Sequence, residues 1–378
     1  MNAGATIVLS AGGTGGHVFP AQALAQALAA RGHPLALITD RRGQGYEERF
    51  PGMEIITVRA ASPGGRGPLG QIAALSDIAA GTLSACAALR RIRPALVVGF
   101  GGYPSLPAIL AATKLGLPTM LHEQNAVLGR VNRLMAKRVS AIATSFPRTR
   151  GIGERDLPKV MMTGNPVRPA VLRLLGEAYA PPEEEGPIEL LVLGGSQGAR
   201  IFSEVVPPSI VALDPALRRR IRVTQQCRPE DLAGAAALYR EAGIAAELAP
   251  FIEDVPARLA RAHLCITRSG ASTVAELAIA GRPALLVPYQ HATDDHQTAN
   301  ARHLVDLGGG WLVPQAKFTV QTLAESLSAL LTDPHTLARA AQAMREAARP
   351  RAAEQLADLA QRLAAGIMPA SGAGRAAA

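Results

Sequence analysis

Short apolar runs and longer amphipathic segments alternate along this chain. Runs such as Ile7–Leu9 and Leu190–Leu193 have the length and composition of buried strands, whereas Pro20–Ala30, which ends before Gly32, has helical spacing. Strands that alternate with helices of about 10–15 residues predict βαβ units and a parallel sheet. The pattern therefore predicts the α/β class.

This alternation fills both halves of the chain. The first half has predicted strands at Ile7–Leu9, Leu35–Ile38, Ile55–Val58, Ala95–Gly99, Thr119–His122 and Ala141–Thr144, and helices at Pro20–Ala30, Gly70–Arg91, Pro104–Leu115 and Arg130–Lys137. The second half has predicted strands at Leu190–Leu193, Ile221–Thr224, Ala245–Leu248, Leu264–Thr267, Ala284–Val287 and Trp311–Val313. Prolines and a glycine in Thr163–Pro169 mark the connection between the halves. We predict one domain at residues 1–164, a second at 165–349, and a disordered tail at 367–378.

Three glycine-rich turns interrupt the pattern, at Gly12–His17, Gly101–Tyr103 and Gly194–Ala199. The first and third follow an apolar strand and lead into a helix. Such turns expose backbone N–H groups, and the helix dipole adds partial positive charge, so they suit phosphates and other anions. Two of them, about 180 residues apart, predict two Rossmann-like domains that face a shared cleft.

Composition narrows the partners of such a protein. The length of 378 residues suits two domains, 48% hydrophobic residues exclude general disorder, and 3% aromatic residues argue against a stacking platform for single-stranded nucleic acid. Residues 1–164 contain 18 Lys and Arg against 8 Asp and Glu, whereas residues 165–378 contain 21 against 22. The basic first half indicates an anionic partner such as nucleic acid, an acidic lipid surface or a phosphorylated substrate, although a solvated basic face has the same composition.

Cysteine usage and hydropathy exclude other classes. Cys86, Cys227 and Cys265 lie far apart without metal-binding spacing, so we expect buried thiols in a reducing compartment and no metal cofactor. No signal-peptide pattern precedes Thr6, and no uninterrupted apolar stretch approaches the roughly 20 residues of a membrane span. These patterns predict a soluble protein.

Dinucleotide binding is an open alternative. The first turn lacks the third glycine of G-x-G-x-x-G, because Val18 stands there, but Asp40 follows the second strand at the position of a ribose-binding acid. The chain contains no P-loop sequence and no D-x-D, which argues against a P-loop kinase and against the metal-dependent class of sugar-nucleotide transferases.

Polar clusters follow two of the predicted strands. His122–Asn125 stands at the carboxyl end of a strand, where ligands of parallel sheets bind. Arg268–Glu276 enters a helix, and its Gly-Ala-Ser-Thr start offers N–H groups to a diphosphate, with Glu276 near the helix start for a ribose diol. Tyr289–Asn300 is rich in amides, histidines and acids that suit sugar hydroxyls.

Six motifs in this order closely resemble those of the peptidoglycan N-acetylglucosaminyltransferase family: Ala11–Pro20, Gly101–Tyr103, His122–Asn125, Gly164–Arg168, Gly194–Arg200 and Ser269–Glu276. The resemblance implies the GT-B fold, with the acceptor site in the first domain and the UDP-GlcNAc site in the second. It also implies that the amphipathic C-terminal helix, at about 350–366, packs back on the first domain. Glycolipid glycosyltransferases and UDP-GlcNAc 2-epimerase share this architecture, but we do not expect them to carry all six motifs.

The resemblance also implies the reaction and its location. The enzyme would transfer GlcNAc from UDP-GlcNAc, with inversion, to the C4 hydroxyl of MurNAc in undecaprenyl-diphosphoryl-MurNAc-pentapeptide (lipid I), giving lipid II. UDP-GlcNAc is then a substrate, and no cofactor is implied. The enzyme would be peripheral, on the anionic cytoplasmic face of the bacterial inner membrane, with cell-wall synthesis and division proteins as further partners and no nucleic acid.

By the same resemblance, the donor contacts fall on Thr14, Gly15, Gly16, Asn125, Arg168, Ser196, Ile252, Ala271, Ser272, Thr273, Val274, Ala275, Glu276 and Gln297. The Ser196 turn suits the β-phosphate, and Arg168 adds positive charge as the diphosphate departs. Ile252 would meet the uracil, although a core position at a strand end is the simpler interpretation. His296 stands where some relatives have an amide, which leaves the contact with the sugar hydroxyls open.

Two residues are candidates for the base that deprotonates the acceptor hydroxyl. His17 follows the first glycine turn at a helix start and is the leading candidate, either as base or as an orienting group. Glu123 is the alternative, because a partly desolvated carboxylate at a strand end can act as a base. His122 is expected to orient either one.

One helix of the basic first half is a candidate for membrane docking. An apolar stripe runs along it after Arg66 and before a group of arginines, and consists of Leu69, Ile72, Leu75 and Ile78. An apolar stripe edged by arginines suits an anionic leaflet, whereas packing against the protein core is the commoner use of such a stripe.

Overall fold

The computed structural model of the protein describes residues 4–13, 15–43, 45–62, 67–195 and 198–368. The chain divides into two compact units: unit 1 consists of Met1–Val167 and Arg351–Ala378, and unit 2 of Arg168–Pro350. The sequence places these boundaries at residues 164 and 349. The predicted tail lies outside the described residues from residue 369 onward.

Unit 1 is built on a parallel sheet that has seven strands within the described residues. They are β1 (Ile7–Ser10), β2 (Leu35–Thr39), β3 (Glu54–Thr57), β4 (Leu96–Gly99), β5 (Thr119–Glu123), β6 (Ala141–Thr144) and β7 (Val160–Met162). Their order is β3-β2-β1-β4-β5-β6-β7, with every neighbouring pair parallel. The sequence misses β7, because its three residues are only partly buried and too short a run to form a pattern.

The helices of this part of unit 1 are α1 (Gly15–Ala29), α2 (Pro68–Ile92), α3 (Gly102–Lys114) and α4 (Arg130–Met135). Helix α1 begins before the predicted start at Pro20, because this proline lies inside the helix rather than in its first turn. The earlier start places Gly15, Gly16 and His17 in the first turn of α1.

Unit 2 contains a second parallel sheet, with six strands among the described residues. They are β8 (Ile188–Leu193), β9 (Ile221–Gln226), β10 (Ala245–Ala249), β11 (Leu264–Thr267), β12 (Ala284–Leu286) and β13 (Gly310–Leu312), in the order β10-β9-β8-β11-β12-β13. The helices are α5 (Pro169–Leu172), α6 (Arg200–Val211), α7 (Pro215–Arg220), α8 (Leu232–Glu241), α9 (Val255–Arg261), α10 (Ala271–Ala280), α11 (His296–Asp306), α12 (Val320–Leu331) and α13 (Pro334–Ala347).

The two sheets share one topology. In unit 1 the first strand, β1, lies between β2 and β4, and in unit 2 the first strand, β8, lies between β9 and β11. The strand order reverses at these points, and ligands of open α/β sheets bind beside the carboxyl ends of the strands there. The turns that follow β1 and β8 are the first and third glycine-rich turns, and the predicted α/β class with two Rossmann-like sheets is confirmed.

The chain returns to unit 1 with α14 (Ala352–Ala364). Its buried side chains Leu356, Leu359 and Leu363 belong to the same apolar cluster as Ile7 of β1 and Leu24 of α1. This helix therefore completes the core on one face of the unit 1 sheet.

Helix α2 has two different faces. Ile78, Cys86 and Leu89 are buried in the apolar cluster of unit 1, whereas Leu69 and Ile72 are 84% and 64% exposed. The prediction that Leu69, Ile72, Leu75 and Ile78 form one apolar stripe is therefore wrong, because Ile78 faces the core. Leu75, by contrast, stays on the exposed side at 59%.

The segment Leu69–Ile92 is also long and apolar enough to cross a bilayer, by length and composition alone. This finding corrects the expectation that no apolar stretch approaches that length. One such helix is weak support for a membrane span, since the core helices of soluble proteins pass the same test, and the buried face of α2 is that of a packed helix.

Candidate functional site

The first glycine turn of unit 1 links β1 to α1. Gly13 has φ +88°, in the left-handed region, and a Cβ at Gly12 would lie 2.8 Å from the Cβ of Pro104. Only glycine fits such a close approach. Thr14 lies outside the described residues, and Gly15 and Gly16 are the first two residues of α1, whose N–H groups have no acceptor within the helix.

His17 follows in the first turn of α1 and is half-buried. Its Nδ1 lies 3.0 Å from Oε1 of Gln124, the residue after β5. A Cβ at Gly102, which has φ +70°, would lie 3.3 Å from the Nε2 and Cδ2 of His17. The structure therefore brings three of the predicted motifs together around this imidazole ring.

Glu123, the alternative base, is the last residue of β5 and is buried. Its Oε1 accepts from the backbone N–H of Asn125 at 3.0 Å and from the Asn125 amide at 3.3 Å. Its Oε2 accepts from the backbone N–H of Gly129 and from the Asn132 amide, both at 2.8 Å. Four donors occupy the carboxylate, so Glu123 holds the loop that carries Asn125.

His122 is buried beside this loop. Its Nε2 lies 3.2 Å from the carbonyl oxygen of Gly164, and its Nδ1 lies 3.0 Å from Nε2 of Gln124. Burial lowers the pKa of His122 to about 4. Within the described residues, its hydrogen bonds reach His17 through Gln124, a glutamine to which the sequence patterns had assigned no role.

In unit 2, the third glycine turn links β8 to α6. Gly195 and Gly198 have φ +86° and +70°, and a Cβ at Gly194 would lie 2.4 Å from the backbone N of Ala199. The Gly194 N–H donates to Oε1 of Gln226 on the neighbouring strand, which fixes the turn at the sheet. Ser196 lies outside the described residues.

Arg168 and Glu276 form the principal ion pair of the predicted donor site. Arg168 Nε donates to Glu276 Oε1 at 2.8 Å, and its Nη2 donates to Oε2 at 2.9 Å. The Glu276 side chain is 14% exposed and that of Arg168 is 35% exposed, and the forked geometry makes this a strong, charge-assisted pair. The two residues were predicted as separate contacts, to the diphosphate and to the ribose, and the structure joins them.

Glu276 lies in the middle of α10 and not near its start, because the helix begins at Ala271 after the cap at Gly270. The predicted donor residues of the first turn are Ala271, Ser272 and Thr273, with Val274 and Ala275 following. Ala271 and Val274 are buried, so their contribution to a ligand would be their backbone. The first N–H groups of α10 are available to an anion.

Two other residues that were predicted to contact the sugar donor, Ile252 and Gln297, differ in exposure. Ile252, after β10, is buried, and its neighbour Phe251 is 69% exposed. Gln297 is half-buried in α11, and its Oε1 accepts from the backbone N–H of Tyr289 at 2.9 Å. The bend before α11 holds Asp294 and Asp295 at φ +53° and +51°, a conformation that L-residues rarely adopt.

The sequence patterns had not assigned a role to Arg268, which is buried after β11. Its Nη1 lies 3.1 Å from the carbonyl oxygen of Val287, and its Cζ lies 5.0 Å from the ring centroid of Phe202. Burial lowers its pKa, and no carboxylate of the described residues forms a salt bridge with it. The sequence signal that could have indicated this buried cation is its position as a charged residue directly after an apolar strand.

Over the part of the chain that the structure describes, no group of three or more His, Cys, Asp or Glu could hold a metal ion.

The two-unit architecture is shared with glycosyltransferases of known structure. The crystal structure of MurG from Acinetobacter baumannii has a TM-score of 0.78 and 30% identity, covering 95% of this chain and 99% of that chain. The UDP-GlcNAc 2-epimerase from Neisseria meningitidis bound to UDP-GlcNAc has a TM-score of 0.62 at 14% identity, covering 93% of this chain and 98% of that chain, which shows the fold alone. The architecture is that of the GT-B glycosyltransferases.

The sequence defines the family within that class. Residues 7–144 match the glycosyltransferase family 28 N-terminal domain, and residues 189–363 match the glycosyltransferase family 28 C-terminal domain. The chain belongs to glycosyltransferase family 28.

Its curated relatives include enzymes named UDP-N-acetylglucosamine–N-acetylmuramyl-(pentapeptide) pyrophosphoryl-undecaprenol N-acetylglucosamine transferase. The one from Rhodospirillum rubrum is 54% identical over 360 residues, which cover 95% of this chain and 92% of the relative. The one from Rhodospirillum centenum is 51% identical over 370 residues, which cover 98% and 96%.

Proposed function

We propose that this protein transfers GlcNAc from UDP-GlcNAc to the C4 hydroxyl of MurNAc in undecaprenyl-diphosphoryl-MurNAc-pentapeptide, with inversion at the GlcNAc C1. The observation that carries the proposal is the 54% identity, over 95% of the chain, with a relative named for this transfer. The bond from C1 to the β-phosphate oxygen breaks, the acceptor oxygen bonds to C1, and UDP leaves with the electron pair.

Unit 2 is the donor-binding unit in this proposal. Glu276 uses one lone pair of each carboxylate oxygen on Arg168 and keeps the others for the two ribose hydroxyls. Arg168 adds positive charge that offsets the charge growing on the departing diphosphate. The N–H groups at the start of α10 are further donors to phosphate oxygens, and Ser196, which lies outside the described residues, remains the proposed contact of the β-phosphate. The buried cation of Arg268 favours an anionic ligand at the same edge of the sheet.

In unit 1 we assign the base to His17 rather than to Glu123. The Glu123 carboxylate already accepts four N–H groups and is buried. None of the described residues hydrogen-bonds Nε2 of His17, so this nitrogen can accept the proton of the acceptor hydroxyl. Thr14, Gly15, Gly16 and Asn125 remain proposed contacts of the donor.

The lipid acceptor requires the enzyme to reach a bilayer. The exposed leucines and isoleucine of α2, Leu69, Ile72 and Leu75, form the proposed docking surface of a peripheral enzyme. The basic charge of residues 1–164 supports this assignment, because anionic headgroups attract basic residues near the surface by about 1 kcal/mol each.

A radiolabelled transfer assay tests the reaction. Purified protein with UDP-[¹⁴C]GlcNAc and a lipid I analogue should give a labelled lipid product and UDP, and calorimetry should show binding of UDP-GlcNAc but not of NADH. Release of the C2 epimer of UDP-GlcNAc without acceptor would instead support an epimerase. Binding of NADH alone would support a dinucleotide-binding protein.

The donor site is tested by Glu276→Ala. Losing a charged hydrogen-bond acceptor costs about 1.5–3 kcal/mol, so the KM for UDP-GlcNAc should rise by about 10- to 150-fold. Glu247→Ala is the matched control, because Glu247 forms a similar forked pair with Arg258 on the surface of the same unit and should leave the KM unchanged. Equal KM values for the two variants would contradict the assignment of Glu276.

A further inference from the structure

A chain of side-chain hydrogen bonds runs through the interior of unit 1 and ends at His17. It begins at the carbonyl oxygen of Gly164, which lies 3.2 Å from Nε2 of His122, and continues from Nδ1 of His122 to Nε2 of Gln124 at 3.0 Å. It ends with the 3.0 Å contact between Oε1 of Gln124 and Nδ1 of His17. The Gln124 side chain, which is buried, is the link between the two rings.

Backbone carbonyls fix the orientation of the Gln124 amide. Its Nε2 lies 3.1 Å from the carbonyl oxygen of Phe100 and 3.0 Å from that of His122. Carbonyl oxygens only accept hydrogen bonds, so the NH₂ group must face them, and a flipped amide would set oxygen against oxygen. The Oε1 atom therefore faces His17, and Nδ1 of His17 must be the donor.

The hydrogen bonds at the His122 end of this hydrogen-bond chain are consistent with Nδ1 of His17 as the donor. The Gly164 carbonyl oxygen only accepts, so Nε2 of His122 carries the single proton of the neutral ring and donates it. Nδ1 then has the lone pair and faces the NH₂ group of Gln124, whose two protons are shared among this nitrogen and the carbonyl oxygens of Phe100 and His122. Burial lowers the pKa of His122 to about 4, which keeps the ring neutral at physiological pH. Every hydrogen bond of the chain then points one way.

We infer that Gln124 is a positioning residue that holds His17 in the tautomer with its proton on Nδ1 and a free lone pair on Nε2. This inference rests on the proposed function, in which His17 Nε2 takes the proton of the acceptor hydroxyl. A histidine that receives a proton on one nitrogen needs the other nitrogen protonated and held, and a hydrogen bond to that second nitrogen sets both tautomer and ring orientation. Gly102 leaves room beside the ring, because a Cβ at this position would lie 3.3 Å from Nε2 and Cδ2 of His17.

Three variants separate this role from simple packing. Gln124→Met keeps the length and removes both polar groups, so kcat should fall by about 10- to 100-fold, while the KM for UDP-GlcNAc stays close to the wild-type value. Gln124→Glu keeps an oxygen that accepts from Nδ1 of His17, and should recover most of the lost kcat. Ser145→Ala is the control, because its hydroxyl donates to the Glu123 carbonyl at 2.9 Å and lies 3.5 Å from Nε2 of His122, so its loss removes a polar group beside the hydrogen-bond chain without touching Gln124 or His17.

The tautomer itself is read by ¹⁵N NMR of histidine-labelled protein, with His17 assigned from the His17→Ala spectrum. At a pH about two units above the ordinary histidine pKa of about 6.5, His17 should show a protonated Nδ1 and an unprotonated Nε2 in the wild type, in Ser145→Ala and in Gln124→Glu. Gln124→Met should show a mixture of both tautomers. If Gln124→Met does not fold, the wild-type and Gln124→Glu spectra still test the inference, because they show which nitrogen of His17 carries the proton.

The outcomes distinguish the inference from the proposed function. A proton on Nε2 of His17 in the wild type, or a Gln124→Met variant with unchanged tautomer and kcat, would overturn the role of Gln124. An unchanged kcat in His17→Ala would overturn His17 as the base, whatever the spectra show for Gln124.

Discussion

Gly102 is a backbone position next to His17, the proposed base. An alanine there would adopt φ +70° at a cost of about 1–2 kcal/mol, and its Cβ would lie 3.3 Å from Nε2 of His17. We expect Gly102→Ala to lower kcat as well as stability, because the new methyl group displaces the ring. Gly116 has φ +68° and open space around it, so Gly116→Ala should lose stability alone.

Urea unfolding and transfer kinetics of the two glycine variants provide the measurement. A loss of unfolding free energy in both variants, with a kcat defect only in Gly102→Ala, is expected. An identical kcat in both variants would show that the ring of His17 tolerates a neighbour at Gly102.

His122 makes the stability of the protein depend on pH. Its pKa is about 4 in the folded protein against 6.5 for the ordinary side chain. Between these two pH values the unfolded chain binds a proton at His122 and the folded chain does not. The contribution is complete above about pH 6.5 and is lost as the pH falls toward 4, by about 2 kcal/mol between pH 7 and pH 5. In His122→Gln this part of the loss should disappear.

Chemical denaturation of wild type and His122→Gln at pH 7 and pH 5 measures the difference. The comparison between the two proteins matters because His263 and His303 also have pKa values lowered by burial and contribute equally to both. The same pH dependence in the variant would place the titrating group elsewhere.

At the level of elements, α2 combines a core face with an outer apolar face. Replacing Ile72 and Leu75 by serine should weaken binding to phosphatidylglycerol vesicles with little change in stability, since both side chains are exposed. Ile78→Ser, on the buried face of the same helix, should lower the unfolding free energy by several kcal/mol.

Vesicle sedimentation at low and high salt, with thermal melting in parallel, checks both parts. Binding that weakens with salt indicates the contribution of the basic residues. Unchanged sedimentation of the Ile72 and Leu75 variant would move the docking surface away from α2.

The sequence largely predicted which segments form helices and strands, but it did not predict which side of each element is buried. The run Gly70–Arg91 predicts a helix, but the sequence cannot show that Ile78 faces the sheet while Leu75 faces outward, because α2 is apolar on several sides. The short strand β7 and the early start of α1 were missed for a related reason, since tertiary packing decides weak or mixed local signals.

At the level of the whole molecule, the C-terminal helix α14 belongs to the core of unit 1 although the intervening chain forms unit 2. Leu356 is fully buried there, so Leu356→Ala should lower the unfolding free energy by about 2–5 kcal/mol. Gln355 is exposed on the same helix, and Gln355→Ala should change the unfolding free energy by less than about 0.5 kcal/mol. Urea unfolding of both variants measures this difference. Equal unfolding midpoints would show that the packing of Leu356 adds nothing to the stability of unit 1.

The sequence by itself determined the class of the protein. Apolar runs, glycine turns and polar clusters at strand ends are local signals, because backbone geometry and helix or strand period act over a few residues. They were enough to predict two Rossmann-like sheets, the turns after β1 and β8, and His17 and Glu276 as candidates, whereas Arg168 was implied by the resemblance to a known family.

Tertiary structure decided how these residues act on one another. The pairing of Arg168 with Glu276 joins residues 108 positions apart, and the contact of His17 with Gln124 joins residues 107 positions apart. No local period encodes such contacts, since the first arises where the start of α5 meets α10 and the second where the start of α1 meets the end of β5. The buried Arg268 and the direction of the Gln124 amide follow from that assembly, because each depends on a carbonyl oxygen 19 or 24 positions away. The Glu123 carboxylate, by contrast, is occupied by donors of the loop and helix that directly follow it.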